Sequence, residues 1–236
     1  MTKKILLILG SLVLVIGGVA AVSAFEAHII NVTAHIENAL RVHPVGPFEY
    51  GTVFPQEHFN GAAFTIGTSD SFSAPTQRRV QNIEYVIKQK PKPKPDYVEN
   101  VGFDEASRWC RENTPVNAND SYYANCYPSL CPYISKNPQI QEPGDVGVPS
   151  FHNPLSQWAI GKLYKQLVPT DPKPMDIDDQ WVLDLSVPCF EGQCAQDWTH
   201  PGFELPAGLE SQVFGCDLWV EVTNVSEAEP NGGTGG

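Results

Sequence analysis

The chain has 236 residues, with 15 Lys and Arg against 27 Asp and Glu, for a formal net charge of −12. That acidity disfavours nucleic acid and anionic membrane surfaces as partners, because both are held by Lys and Arg that neutralise phosphate. Nineteen Gly and 21 Pro punctuate short apolar runs, a composition that favours strands and loops over a helical bundle.

In chain order, Lys3 and Lys4 precede an almost wholly apolar run from Ile5 to Ala21, and Val22-Ser23-Ala24 offers small residues for cleavage. Residues 1–24 are therefore predicted to be a secretory signal, and the mature protein to be secreted or held at the extracellular cell surface. Loss of Lys3 and Lys4 leaves 13 basic residues against 27 acidic ones, a net of −14. Nothing after Ala24 approaches the ~20 apolar residues of a membrane-spanning helix, so no membrane anchor is expected. From Ile29 to Leu40 the pattern is period two, with Ile30, Val32, Ala34 and Ile36 on one face and Asn31, Thr33, His35 and Glu37 on the other. The β-branched residues make this a half-buried strand.

His43 to Pro47 reads as a turn, Phe48 to Phe54 as a second strand stopped by Pro55, and Phe59 to Gly67 as a third. Ser69 to Ala74 is a polar exit, and Val80 to Lys88 is a fourth, stronger strand. It runs into Lys90-Pro-Lys-Pro-Lys-Pro95, an extended polyproline-like segment. The plain reading of that run is a solvated spacer; the functional alternative is a basic site for an acidic partner. Asp104 to Cys110 predicts a short helix with Asp104 near its N-cap. Beyond it, periodicity fades among Asn, Tyr, Pro and Cys. Leu155 to Leu167 fits a helix through Leu155, Trp158, Ala159, Leu163 and Leu167, or a strand through Ile160 to Tyr164 if Gly161 interrupts the helix. Trp181 to Val187 alternates cleanly, and Leu218 to Val225 makes a closing strand with Leu218, Val220 and Val222 on one side.

The pattern predicts an all-β fold, a β-sandwich or jelly roll with a disulfide-containing irregular insertion. Its parts are a signal peptide (1–24), N-terminal strands (25–95), a cysteine-bearing insertion with short helices (96–174), C-terminal strands of the same sandwich (175–226) and a flexible tail (227–236). Cys110, Cys126, Cys131, Cys189, Cys194 and Cys216 form an even set in an exported chain, and disulfides are the default. Glu191-Gly192 turns the chain so that Cys189 and Cys194 can meet; the other pairings stay open.

Strong catalytic and nucleotide-binding motifs are absent, and the six histidines lack metal-ligand spacing. The chain therefore reads as a non-enzyme. Asp176, Asp178 and Asp179 are the oxygen donors best placed for a cation, and calcium is the ion that such a loop suits, although an acidic solvated loop is the simpler account. Trp198, flanked by Asp197 and His200-Pro-Gly202, is the tryptophan expected at the surface, where a glycan could stack on it.

Four features resemble the TasA/camelysin group of exported proteins. They are the signal followed at once by Phe25-Glu-Ala-His and an alternating strand, then Gly51-Thr-Val-Phe-Pro-Gln-Glu57 leading into Phe64-Thr-Ile66, then Val80 to Lys88, and finally Leu218-Trp-Val-Glu-Val-Thr223. The resemblance covers residues 1–90 and 175–225, and leaves out the cysteine-bearing middle. It implies a jelly-roll subunit of extracellular biofilm-matrix fibres or bundling pili. Such subunits self-associate head to tail when the N-terminal strand, here through Ile30, Val32, Ala34 and Ile36, enters the next copy. Some members of the group are described as metallopeptidases, but no metal-binding peptidase motif is present here. A monomeric surface adhesin or glycan-binding module is the alternative, and an exported hydrolase with a site built from distant residues comes third.

Overall fold

A computed structural model of the protein describes residues 38–44, 46–74, 76–77, 79–117, 119–130, 133–136, 145–165 and 175–227. The chain divides between Glu37 and Asn38, and every described residue belongs to the second unit. The expected leader, the donor positions Ile30, Val32, Ala34 and Ile36, Cys131 and the tail beyond Glu227 lie outside the described residues.

The strands are β1 (Leu40–His43), β2 (His58–Thr68), β3 (Val80–Pro91), β4 (Tyr133–Lys136), β5 (Ala159–Tyr164), β6 (Asp178–Ser186) and β7 (Cys216–Glu227). Among the described residues four short α-helices accompany them, α1 (Asp70–Ser73), α2 (Pro95–Val101), α3 (Phe103–Glu112) and α4 (Tyr122–Asn125), with one 3-10 turn at Ala207–Leu209. The strands form two antiparallel sheets, one in the order β1-β2-β6-β4 and the other β5-β3-β7.

One apolar cluster draws on both sheets. Phe64, Ile66, Trp181 and Leu183 come from the first sheet, Tyr85, Ile87, Ala159 and Leu163 from the second, and Val148 from a loop. The period-two pattern explains the selection. In β6, Trp181, Leu183 and Leu185 are buried at alternate positions, and in β3 Ile83, Tyr85 and Ile87 do the same. Each fully buried aliphatic side chain here is worth about 1.5–3 kcal/mol.

Within the ambiguous 155–167 stretch, Ala159–Tyr164 form strand β5. Ala159, Gly161 and Leu163 share one face, and the Tyr85 ring lies directly on Gly161. A Cβ there would sit 2.2 Å from the ring, so only glycine allows the approach. In a helix those three residues would not share a face.

Helix α3 covers the predicted span, but its cap is Gly102, with Asp104 and Glu105 in the first turn and Arg111 in the last. Those charges complement the helix dipole. Cys110 is bonded to Cys126, joining α3 to the end of α4, and Trp109 stacks on Tyr122 with ring centroids 6.0 Å apart. The polar exit after β2 is α1, capped by Ser69, whose hydroxyl accepts from Phe72 N.

Three expectations are corrected. Phe48 to Phe54 is not a strand. Gly51 takes φ +70°, and the segment is tied down by its side chains, with Phe48 against Phe64 and the Tyr50 hydroxyl donating to Leu183 O at 3.2 Å. The strand predicted to end at Leu40 instead gives Leu40 to β1, where it pairs with Thr68. The lysine-proline run is no solvated spacer. β3 continues to Pro91 opposite Cys216, and Pro93 bridges Cys126. Strands β4 and β5 both fall within residues 96–174, so that stretch contributes to both sheets as well as carrying most of α2 and all of α3 and α4.

Candidate functional site

Four features of the molecule bear on function, and each starts from strand alternation. The first is an acidic cluster at the core. Asp178 and Asp179 open β6 and so point to opposite faces. Asp179 faces inward and is only 1% exposed, whereas Asp178 lies near Arg41, 3.6 Å away. Asp179 Oδ2 accepts from the Tyr85 hydroxyl at 2.5 Å, and that hydroxyl accepts from Trp181 Nε1 at 2.8 Å. Burial and the Asp179 charge push the Tyr85 phenol far above its ordinary range, so it is a permanent donor.

Asp145 and Asp176 bring their carboxylates to the same place, so that the acidic oxygens of Asp145, Asp176 and Asp179 lie within 4.8 Å of one another. Of the three residues singled out in the sequence, two meet and Asp178 does not join them. Asp145 is the residue that sequence reading missed, since 31 positions separate it from Asp176. The donor set is all oxygen, which by chemistry suits calcium or magnesium and not zinc.

The second feature lies where β6 runs out. Cys189 and Cys194 are bonded, closing the Glu191-Gly192 turn, and Phe190 bridges Leu205 so that residues 189–205 fold back on themselves. The Trp198 indole donates to Glu204 Oε1 at 3.0 Å, and Gly202 N donates to Glu204 Oε2 at 2.6 Å. Its own backbone amide, then the Gly202 amide and the Trp198 N–H, hold the Glu204 carboxyl below its ordinary range. Trp198 is half-buried, packed with Phe151 and His200, and not the free surface ring of the sequence reading; Phe203 packs on Phe151 in turn. Next to Phe151, Ser150 accepts from Ser186, whose hydroxyl is 2.8 Å from His58 Nδ1.

The third feature is the lysine run. Lys88, Lys90, Lys92 and Lys94 alternate onto one face, where they meet aromatic rings. Lys90 stands 3.7 Å from the Trp219 ring centroid, and Arg111 approaches the same ring at 5.2 Å. Lys88 binds Glu221 at 2.7 Å, and Lys90 binds it too. These bonds, with Lys88 the larger cause, lower the Glu221 carboxyl. Lys94 donates to Tyr123 O. The cations are thus engaged within the molecule.

The fourth feature is the outer edge of β7. Among the described residues, β7 pairs with β3 alone along its twelve residues. Leu218, Val220, Val222 and Val225 stand opposite Gln89, Ile87, Tyr85 and Ile83, all of which are buried, so the four share the core-facing side. Yet Val222 and Val225 are 44% and 43% exposed, and Leu218 and Val220 only partly buried. The β5 edge differs, since Val146 bridges Ile160 and Asp176 bridges Tyr164 along it.

Among the described residues no helix is long and apolar enough to cross a membrane. The chain matches no family model, no curated protein and no solved structure.

Proposed function

We propose that this protein is a secreted structural subunit of an extracellular filament or biofilm-matrix fibre, assembling head to tail by donation of its N-terminal strand. In this reading the two sheets are the halves of a β-sandwich of jelly-roll type. The donor is the alternating segment that presents Ile30, Val32, Ala34 and Ile36, and it ends before Leu40, which is already paired with Thr68 in its own sheet.

The observation that carries this reading is the edge of β7. A long strand with one ladder side open among the described residues is a template for another chain, and proteins commonly blunt such edges with Pro, Lys, bulges or short length. β7 has twelve residues and neither Pro nor Lys. Its core-facing row ends in two exposed valines, so an added strand would gain both main-chain hydrogen bonds and apolar burial. Residues 29–37 extended at ~3.3 Å each span about 30 Å, within the ~40 Å of a twelve-residue strand. Donation from one copy to the next does not close on itself, so it propagates into a fibre. The two disulfides agree with an oxidising compartment.

Negative-stain imaging of the secreted, leader-cleaved protein tests the proposal. Fibres are expected, and their loss is expected when residues 25–37 are deleted or when Val32→Asp places a carboxylate in the apolar row. Fibres of normal length from either variant would end the strand-donation reading.

A further inference from the structure

We propose that the end of the molecule built from residues 149–151 and the 189–206 loop is a binding platform for a neutral glycan. Phe151, Trp198, His200 and Phe203 supply its ring surface, and Ser150 and Glu204 its polar rim. This inference is independent of strand donation and asks nothing of the β7 edge.

The rings pack on one another outside both apolar cores. Phe151 is the hub, with centroids 5.4 Å from Trp198, 4.3 Å from His200 and 5.8 Å from Phe203. None of the four belongs to the cluster shared by the sheets or to the one around Cys110. Phe203 keeps 37% of its surface exposed, so the cluster does not serve only to bury rings.

The platform is held before any ligand arrives. The Cys189–Cys194 bond closes the loop, Glu191 N donates to Leu205 O at 2.8 Å, and Leu205 N donates to Cys189 O at 2.9 Å. Glu204 clamps the Trp198 indole through its N–H. Phe151 takes φ +55°, the left-handed region that a bulky side chain avoids, and is kept there by its surroundings. Rings fixed in this way lose little freedom when they bind.

The ligand class follows from the two kinds of surface. A pyranose presents a face of C–H groups, which packs on aromatic rings, and an equator of hydroxyls, which need donors and acceptors at the rim. Ser150 can donate and accept, and Glu204 accepts. No Lys or Arg stands among these residues, and the chain carries −12, so uronates and sulfated sugars would be repelled.

Affinity electrophoresis of the disulfide-intact protein tests the proposal, through gels containing hydroxyethylcellulose, laminarin, xyloglucan or glycol chitin, with alginate as the anionic comparison. Retardation by at least one neutral polymer is expected, insensitive to salt. It should weaken at least about tenfold in Trp198→Ala and in Phe203→Ala. Trp158→Ala, which changes an exposed tryptophan outside the cluster, should migrate like the parent. Should Trp198→Ala prove unfolded by circular dichroism, Phe203→Ala decides, because its ring is the more exposed. The proposal is overturned if no neutral polymer retards the protein, if only alginate does, if the folded ring variants bind as the parent does, or if Trp158→Ala loses binding equally.

Discussion

Tyr85 shows how one side chain organises this molecule. Its ring fills the space that Gly161 leaves, and its hydroxyl links Trp181 to Asp179 across the two sheets. Tyr85→Phe removes the hydroxyl while keeping the ring, and should cost about 1–3 kcal/mol in urea unfolding. Gly161→Ala forces a methyl into a buried ring with nowhere to move, and should cost about 1–3 kcal/mol by overpacking. His152 is the residue to watch as pH changes. Its Nδ1 lies 2.8 Å from Pro149 O and its Nε2 2.5 Å from the Gln89 amide oxygen, and burial holds its pKa below the ordinary 6.5. The unfolded chain therefore takes up this proton first. Stability from this group is complete above pH 6.5, falls as pH drops through 6.5 toward the lowered value, and levels off below it. Urea midpoints at pH 7.5 and 5.5 should show that fall in the parent and a flatter profile in His152→Gln.

Among the elements, β7 shows where reading by alternation stops. Leu218, Val220 and Val222 follow period two, but Val225 breaks it. A bulge lets Glu84 face Asn224 and Tyr85 face Val222, skipping Thr223, and so returns Val225 to the core side. No signal local to the strand marks such an insertion. Because Val222 keeps 44% of its surface exposed in the single chain, Val222→Asp should change monomer stability by no more than about 1 kcal/mol. The same change should prevent fibre growth if β7 is the receiving edge, which sedimentation alongside thermal unfolding would separate. Strand β5 was ambiguous for a related reason. Its choice between helix and strand rests on a ring from β3, 76 positions before Gly161, and no window around Gly161 contains that ring. The lysine run looked like solvated punctuation because its partners, Glu221 and Trp219, lie more than a hundred residues away.

For the whole molecule, the two described sheets and their shared cluster lie in the second unit. A chain beginning at Asn38 should keep the β-type circular dichroism and thermal midpoint of the longer protein and sediment as a monomer. A large fall in midpoint would place the N-terminal residues inside the subunit's own fold. What the amino-acid order determined by itself was whatever depends on near neighbours: strands β2, β3, β6 and β7 from alternation, helix α3 from its acidic start, and the Cys189–Cys194 bond from a turn between close cysteines. Only the tertiary structure decided what depends on distant residues meeting: the Cys110–Cys126 bond, the convergence of Asp145 on Asp176 and Asp179, the ring cluster around Phe151, and the order of the strands in each sheet. Periodicity reports the face a residue prefers, because burial of apolar surface is local in its chemistry. It is silent on which other face arrives to cover it, because that is set by chain crossings between the two sheets.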